Sequence, residues 1–360
     1  MREDLEVALE KVDPEKMREK PSVDTLGSGG HFTDHMFRMT WSSQGGWHDA
    51  KICPYQNLSL DPAALIFHHG QAIFENLKAR RGNGNQLYLF RPADSLERLN
   101  SSAVKMCMPR LPVEKVLKAL KALVYLEKAW VADVADASLS IRSTMIAVDP
   151  SLGMCPSKTY CFFIILSSVA PASSKECKPA KIYVSDDYSR SLTAGPCHGK
   201  TSDNYGASLS MSQRARAEGY SQVLWLDTSE HRFVEQLDTA NIFFKIDGQL
   251  VTPFLDGSII EGLTRNCVIT LAESWGFDVV ERKIAINEVL DANKNGSLEE
   301  VFFTGADAGI SSLGELYYQG ENHVVNSGVT GELSARLVLE LQAIQNGRQN
   351  DPYKWVVRVA

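Results

Sequence analysis

One lysine stands in a run of small and polar residues, His198-Gly199-Lys200-Thr201-Ser202-Asp203-Asn204-Tyr205-Gly206, with a tyrosine five positions after it. By default such a lysine is a solvated surface cation. The chemical alternative is an amine sheltered from bulk water that condenses with an aldehyde, above all that of pyridoxal 5′-phosphate (PLP), as a Schiff base. The choice turns on whether the rest of the chain carries the other parts such a cofactor needs.

Composition narrows the setting. The chain has 360 residues, 44% hydrophobic and 22% charged, which is enough for two domains each with its own core. A net charge of -7 with no run of lysine and arginine offers nothing for nucleic acid or an anionic membrane to hold. The seven cysteines, at 53, 107, 155, 161, 177, 197 and 267, form no C-x-x-C pair, so neither zinc nor a disulfide framework is expected. Reduced thiols fit a cytoplasmic enzyme. Residues 1–20 are charged, without the apolar stretch of a secretory signal, and the longest apolar run, near 162–166, is too short to span a bilayer.

The elements that must position the lysine follow from periodicity and turn chemistry. Residues 1–30 read as a charged helix and a loose glycine-rich tail, an arm rather than core. Short strands and turns follow near 32–36 and 47–60, and Asp61-Pro62 opens a segment running through His68-His69-Gly70 to Phe74-Glu75-Asn76. A strand at 86–90 leads to Arg91-Pro92 and a helix carrying Leu96, Arg98, Leu99 and Val104. Pro112 starts another helix with an apolar stripe, Val113, Val116, Leu117, Leu120, Leu123 and Val124. Two β-like runs, 138–148 and 160–169, complete a small α/β domain over 31–170. The small, polar segment 171–180 reads as a linker.

The pattern then restarts in a larger domain over 181–360. It predicts a strand at 181–185, the lysine loop, a helix over 207–218 closed by Gly219, and a strand at 222–227. A strand within 233–246 turns at Asp247-Gly248 into Leu250-Val251. A helix over 263–275 follows Gly262, with strands near 279 and 301–303 and a last helix over 332–345. No internal repeat and no glycine-rich dinucleotide turn is present. The expected fold class is α+β in two domains.

With these elements in place the chain resembles the branched-chain aminotransferases, the class IV (fold type IV) PLP enzymes. The resemblance runs from about Phe32 to Asn346. It is carried by Phe32-Thr33-Asp34-His35-Met36, Ser59-Leu60-Asp61-Pro62-Ala63, Phe90-Arg91-Pro92, Ser138-Leu139-Ser140-Ile141-Arg142, Pro150-Ser151-Leu152-Gly153, Asn204-Tyr205-Gly206, Gln222-Val223-Leu224-Trp225-Leu226-Asp227 and Asn241-Ile242-Phe243. It implies a cofactor held between two domains, a homodimer, and amino transfer between an amino acid and a 2-oxo acid. Residue by residue, it makes Lys200 the Schiff-base and proton-moving lysine and Tyr205 a hydrogen-bond partner of the ring oxygen. Arg98 and the backbone amides of Leu263 and Thr264 become the phosphate ligands. Arg142 becomes a substrate-carboxylate ligand. Alone, Arg98 or Arg142 would read as a surface ion pair.

The chain also departs from that family. Where a glutamate keeps the pyridine nitrogen protonated, this chain has Gln236, with Glu235 just before it on what should be the opposite strand face. His-Tyr-Gly is replaced by His68-His69-Gly70, Phe-Glu-Gly by Phe74-Glu75-Asn76, and Leu-Pro-Gly by Ile260-Glu261-Gly262. Gly-Thr-Ala, whose threonine helps hold the phosphate, becomes Gly305-Ala306-Asp307. The aromatic residue of the interdomain loop is missing from Val169-Ala170-Pro171-Ala172. The expected substrate pocket, with His69, Phe74, Asn76 and Arg142, is therefore more polar, and drift under weak constraint is the plain alternative. The leading expectation is amino transfer with an altered, more polar substrate. The alternatives are elimination, replacement or decarboxylation in specialised metabolism, and a low-turnover PLP-binding protein.

Overall fold

The computed structural model describes residues 6–26, 29–82, 84, 86–132, 134, 137–170, 178–190, 199–306 and 309–359. Two compact units are built from it. The first comprises Met1–Ser173, Gly199–Ser202 and Gln342–Ala360, and the second Ser174–His198 and Asp203–Leu341.

The first unit is a sheet covered by helices. Its strands are β1 (Ala8–Leu9), β2 (His31–Phe32), β3 (His35–Ser42), β4 (Gly46–Pro54), β5 (Ala72–Arg81), β6 (Leu87–Phe90), β7 (Ser138–Ala147) and β8 (Thr159–Val169), and the chain's last strand, β18 (Val356–Arg358), joins them. The order is β1-β4-β3-β8-β7-β5-β6-β18, with β2 beside β8. Three helices belong to this unit: α1 (Leu65–His69), α2 (Pro92–Lys105) and α3 (Val113–Leu126). Leu96 and Leu99 of α2 and Leu120 and Leu123 of α3 pack with Phe37, Leu89, Leu139 and Phe162 into one core. Burying each such side chain contributes roughly 1.5–3 kcal/mol.

β5 is the strand that receives the lysine segment. Residues 79–81 pair with β6, whereas the whole strand from Ala72 to Arg80 pairs with β7. The N-terminal half of β5 thus has one edge that β6 does not cover. Residues 199–202 run there: Ile73 bridges Thr201, and Phe74 N donates to Lys200 O at 3.1 Å. This explains why four residues of the lysine segment belong to the first unit.

Three expectations change here. The arm is not an α-helix over its described residues; it forms β1, paired parallel with β4, and two 3-10 turns. Val12 N donates to His35 Nε2 at 2.9 Å and Arg18 N to Asp34 Oδ1 at 2.8 Å, so specific polar contacts hold it. Residues 342–360, expected with the second domain, return to the first, because β18 completes the edge of β6. Of the expected linker, residues 171–177 lie outside the described residues, and Ala180 already begins a strand.

The second unit holds β9 (Ala180–Ser185), β10 (Gln222–Leu226), β11 (Val234–Leu237), β12 (Asn241–Ile246), β13 (Gln249–Thr252), β14 (Val279–Glu281), β15 (Leu298–Gly305), β16 (Gly309–Tyr318) and β17 (Glu321–Val324). The order is β11-β10-β9-β16-β15-β12-β13-β14, with β17 beside β16. Its helices are α4 (Ser202–Ala217), α5 (Leu263–Ser274), α6 (Ile286–Asn295) and most of α7 (Glu332–Gln345). The expected Asp247-Gly248 turn joins β12 to β13 with both residues at positive φ, 49° and 77°. α4 begins five residues before the expected start, so Asn204-Tyr205-Gly206 lies in its first turns rather than in a loop. β16 and α6 carried no pattern strong enough to be expected. The architecture is two α+β units, as the sequence implies.

Candidate active site

β5 alternates Ile73, Glu75, Leu77, Ala79 toward the core and Phe74, Asn76, Lys78 away from it. Glu75 therefore puts a carboxylate in an apolar row, 1% exposed. A charge there requires partners, because desolvation alone is prohibitive. α2 supplies them from one stripe of its surface, Ser95, Arg98 and Ser102, spaced three and four apart. Arg98 Nε donates to Glu75 Oε1 and Nη2 to Oε2, each at 2.7 Å. Ser95 Oγ and Asn76 N donate to Oε2 at 3.4 and 3.3 Å.

Lys200 completes the cluster. Its Nζ lies 3.5 Å from Glu75 Oε2, and its own N donates to Ser102 Oγ at 3.0 Å. Lys200 is 6% exposed, so the surface-cation reading does not hold. The segment lies against α2 at Gly199, where a Cβ would sit 3.5 Å from Ser102 Cβ, an ordinary contact distance. Burial pushes the Glu75 carboxyl up, and the Lys200 and Arg98 cations outweigh it, holding it below the usual carboxylate range.

On the other face of β5, Asn76 is opposite Arg142 of β7. The Arg142 guanidinium lies 4.6 Å from the centre of the Phe74 ring, and Lys200 Nζ lies 5.4 Å from the same centre. The structure thus brings Lys200, Arg98, Phe74, Asn76 and Arg142 together around β5. It adds Glu75, to which sequence reasoning assigned no role. The available signal was the two-residue alternation, which put a glutamate where an apolar residue belonged. His69 ends α1; its Nε2 is buried without a partner among the described residues, and no described contact links it to this set.

In the second unit Tyr205 is half-buried in the first turn of α4. On β11, Gln236 is 1% exposed; its Oε1 accepts from Ile260 N at 2.7 Å and its Nε2 donates to Leu237 O at 3.1 Å. Asn241 Nδ2 donates to Ile260 O at 2.9 Å, so the peptide leading into α5 is held from both sides. Gly262 is the N-cap of α5, whose first turn contains Leu263 and Thr264 and no acidic residue. A Cβ at Gly262 would meet Asn241 Oδ1 at 2.1 Å, so only glycine lets the helix begin there. Glu235 is 3% exposed, and burial pushes its carboxyl up to about 7, with the Asp256 charge adding to the rise. Ala306 is exposed just past β15, and Asp307 lies outside the described residues.

The sequence matches the family described as amino-transferase class IV over residues 72–315. It is 46% identical over 341 residues to branched-chain-amino-acid aminotransferase 2 of Bacillus subtilis (strain 168), covering 95% of this chain and 94% of that one. To branched-chain-amino-acid transaminase 1 of the same strain it is 45% identical over 343 residues, covering 95% and 96%. The fold is also that of the branched-chain amino acid aminotransferase from Thermobaculum terrenum in its PLP form, with a TM-score of 0.74 at 23% identity over 91% of this chain and 98% of that one. The protein is a fold type IV, PLP-dependent enzyme. Within that class the chain belongs to the branched-chain aminotransferase family of class IV. Among the described residues no helix is long and apolar enough to cross a membrane.

The residues fit the cofactor. Lys200 offers a buried primary amine, and with Arg98 and Glu75 it forms a cluster of two cations around one carboxylate, leaving one positive charge. Gly262 gives the start of α5 the close backbone approach that a phosphate at a helix N-terminus uses.

Proposed function

We propose that the enzyme moves an amino group between an amino acid and a 2-oxo acid, with branched-chain amino acids as donors. The observation that carries this reading is the buried Lys200 amine beside Glu75 and Arg98, on the segment that lines the edge of β5 not paired with β6. The names of the relatives at 46% and 45% identity supply the donor class. The comparisons lend no support to the more polar substrate, or to elimination, replacement or decarboxylation in specialised metabolism. A homodimer in the cytoplasm is part of the proposal.

When bound, PLP supplies the aldehyde that takes up the amino group and the ring that stabilises the electron pair left at the substrate's Cα. Lys200 Nζ would hold the cofactor and, once displaced by the incoming amino group, would take the proton from that Cα as general base and deliver it as general acid to C4′ of the cofactor. Arg98, its plane fixed by Glu75, would bind the phosphate, and by the resemblance the Leu263 and Thr264 amides would serve as further donors. Tyr205 would donate to the ring oxygen, and Gln236 would offer the ring nitrogen a neutral amide in place of a carboxylate. Arg142, beside Phe74 and Asn76, would pair with the substrate carboxylate, and His69 is assigned to the substrate pocket by the resemblance alone, since no described contact joins it to the others.

The test is a half-reaction panel on the purified holoenzyme. Leucine, isoleucine or valine should convert the aldehyde form to pyridoxamine phosphate with release of the 2-oxo acid. Recovery of the aldehyde form together with an eliminated or decarboxylated product would replace this reading. So would the absence of any substrate-dependent spectral change across all twenty amino acids.

A further inference from the structure

β12 and β15 run antiparallel with Asn241 directly opposite Thr304, so these two side chains share one face of the sheet. Asn241 marks what lies on that face. Its amide holds Ile260 O at 2.9 Å, and its Oδ1 occupies the space beside Gly262 where α5 begins. Thr304 therefore faces the side from which α5 starts. It is 1% exposed, and its Oγ1 has no hydrogen-bond partner among the described residues. Buried hydroxyls are almost always bonded, because leaving one unpaired forfeits its hydration for nothing.

The surroundings suit an anion. The twelve residues of α5 give its N-terminus a positive end, and no acidic residue lies in its first turn to answer it. The preceding carboxylate, Glu261, accepts from Asn266 Nδ2 at 3.3 Å. Two positions after Thr304, where the resemblance implies a phosphate-holding threonine, this chain has Ala306 with only a methyl group.

We propose that Thr304 Oγ1 donates a hydrogen bond to the phosphate group received at the N-terminus of α5, filling the role that Ala306, without a hydroxyl, leaves open. The ligand class is a phosphate monoester dianion. The proposal rests on the PLP reading above. Thr304 acts by binding, not by moving a proton, so its removal shows in cofactor affinity rather than in the pH profile of turnover.

The test titrates apo-protein with PLP and with pyridoxal, which lacks the phosphate, and follows absorbance and bound fraction. Thr304→Val should weaken PLP binding about tenfold and leave pyridoxal binding unchanged. Adding Ala306→Thr to that variant should restore PLP binding. The apo form of Thr304→Val should melt no lower than wild type, because the substitution removes an unpaired hydroxyl. If Thr304→Val fails to fold, Thr304→Ser and Thr304→Ala replace it, with affinity kept in the first and reduced in the second. PLP affinity within twofold of wild type, or an equal loss for pyridoxal, overturns the proposal. Failure of wild-type protein to bind PLP at all would instead sink the PLP reading. Inorganic phosphate then decides about Thr304: it should raise the melting temperature of wild type and not of Thr304→Val, and equal effects on both would overturn the proposal.

Discussion

Arg98 and Glu75 meet through two parallel hydrogen bonds of 2.7 Å, one to each carboxylate oxygen, at the base of the site. Such a fork fixes the guanidinium plane as well as its charge. Glu75 is thus a positioning residue for both cations that surround it. Removing it would leave Arg98 and Lys200 largely buried with no carboxylate between them. Glu75→Gln should lower unfolding free energy by about 3–5 kcal/mol and weaken PLP binding. Denaturant melts of the apo form and PLP titration check this; a loss below about 0.5 kcal/mol would mean the cluster contributes little.

The same pair sets an acid limit. Glu75 has a folded pKa below its ordinary value, so the unfolded chain binds more protons as pH falls from the usual carboxylate range toward the folded pKa. Its stabilisation is complete above the unfolded value of 4.5 and disappears below it. Melts of wild type and Glu75→Gln should therefore differ most at neutral pH and converge as pH drops below about 4. A constant gap at all pH values would remove ionisation from the explanation.

Lys200→Ala should keep the fold and lose covalent attachment. Its ammonium is one of two cations on Glu75, and Arg98 still satisfies the carboxylate, so the stability loss should be smaller than for Glu75→Gln. Borohydride reduction of the holoenzyme, followed by peptide mapping, should place the label on the peptide containing Lys200. Label on a different lysine would end this assignment.

Arg98 and Lys200 were legible through the resemblance, from the motif around Leu96-Glu97-Arg98-Leu99 and the spacing of Lys200 to Asn204-Tyr205-Gly206. The helix period placed Arg98 on a helix but by itself would have left it a surface cation. Glu75 was not found because a glutamate in a strand reads as surface until the neighbours Ile73, Leu77 and Ala79 show which face it shares. The return of β18 to β6 was not legible for a different reason. Residues 356–358 and 88–90 pair across most of the chain, and no local pattern encodes so distant a partner. Thr304 is similar, since its significance depends on Asn241 being opposite it across two strands.

Glu235 predicts a pH effect of opposite sign to Glu75. Burial raises its carboxyl to about 7 from 4.5, so between those values the folded chain holds a proton that the unfolded chain has released. Stability therefore falls as pH rises through this window, by up to about 3 kcal/mol in full. Glu235→Gln keeps the shape without the ionisation. It should stabilise the protein at pH 8 and have little effect at pH 4, read as the difference between paired melts. Equal effects at both pH values would remove the ionisation of Glu235 from the explanation.

Gln236 offers the most direct test of how the ring is tuned. Its oxygen is committed to Ile260 N and its nitrogen to Leu237 O, so the side chain is oriented by donor and acceptor at once. Gln236→Glu keeps the acceptor for Ile260 N but sets a second oxygen against Leu237 O. In the apo protein that carboxylate is buried beside a carbonyl, which raises its pKa and should cost about 1–3 kcal/mol at pH 8, less at pH 5. With PLP bound, a carboxylate can pair with a protonated pyridine nitrogen, which a neutral amide cannot do. Protonation makes the ring a better electron sink and eases loss of the Cα proton. The variant should therefore be less stable without cofactor, yet show higher kcat/KM for leucine, with the gain mainly in kcat. If it loses stability and gains no rate, the ring nitrogen is not what Gln236 faces. If it gains rate with no apo cost, the Leu237 contact is not what holds the amide in place.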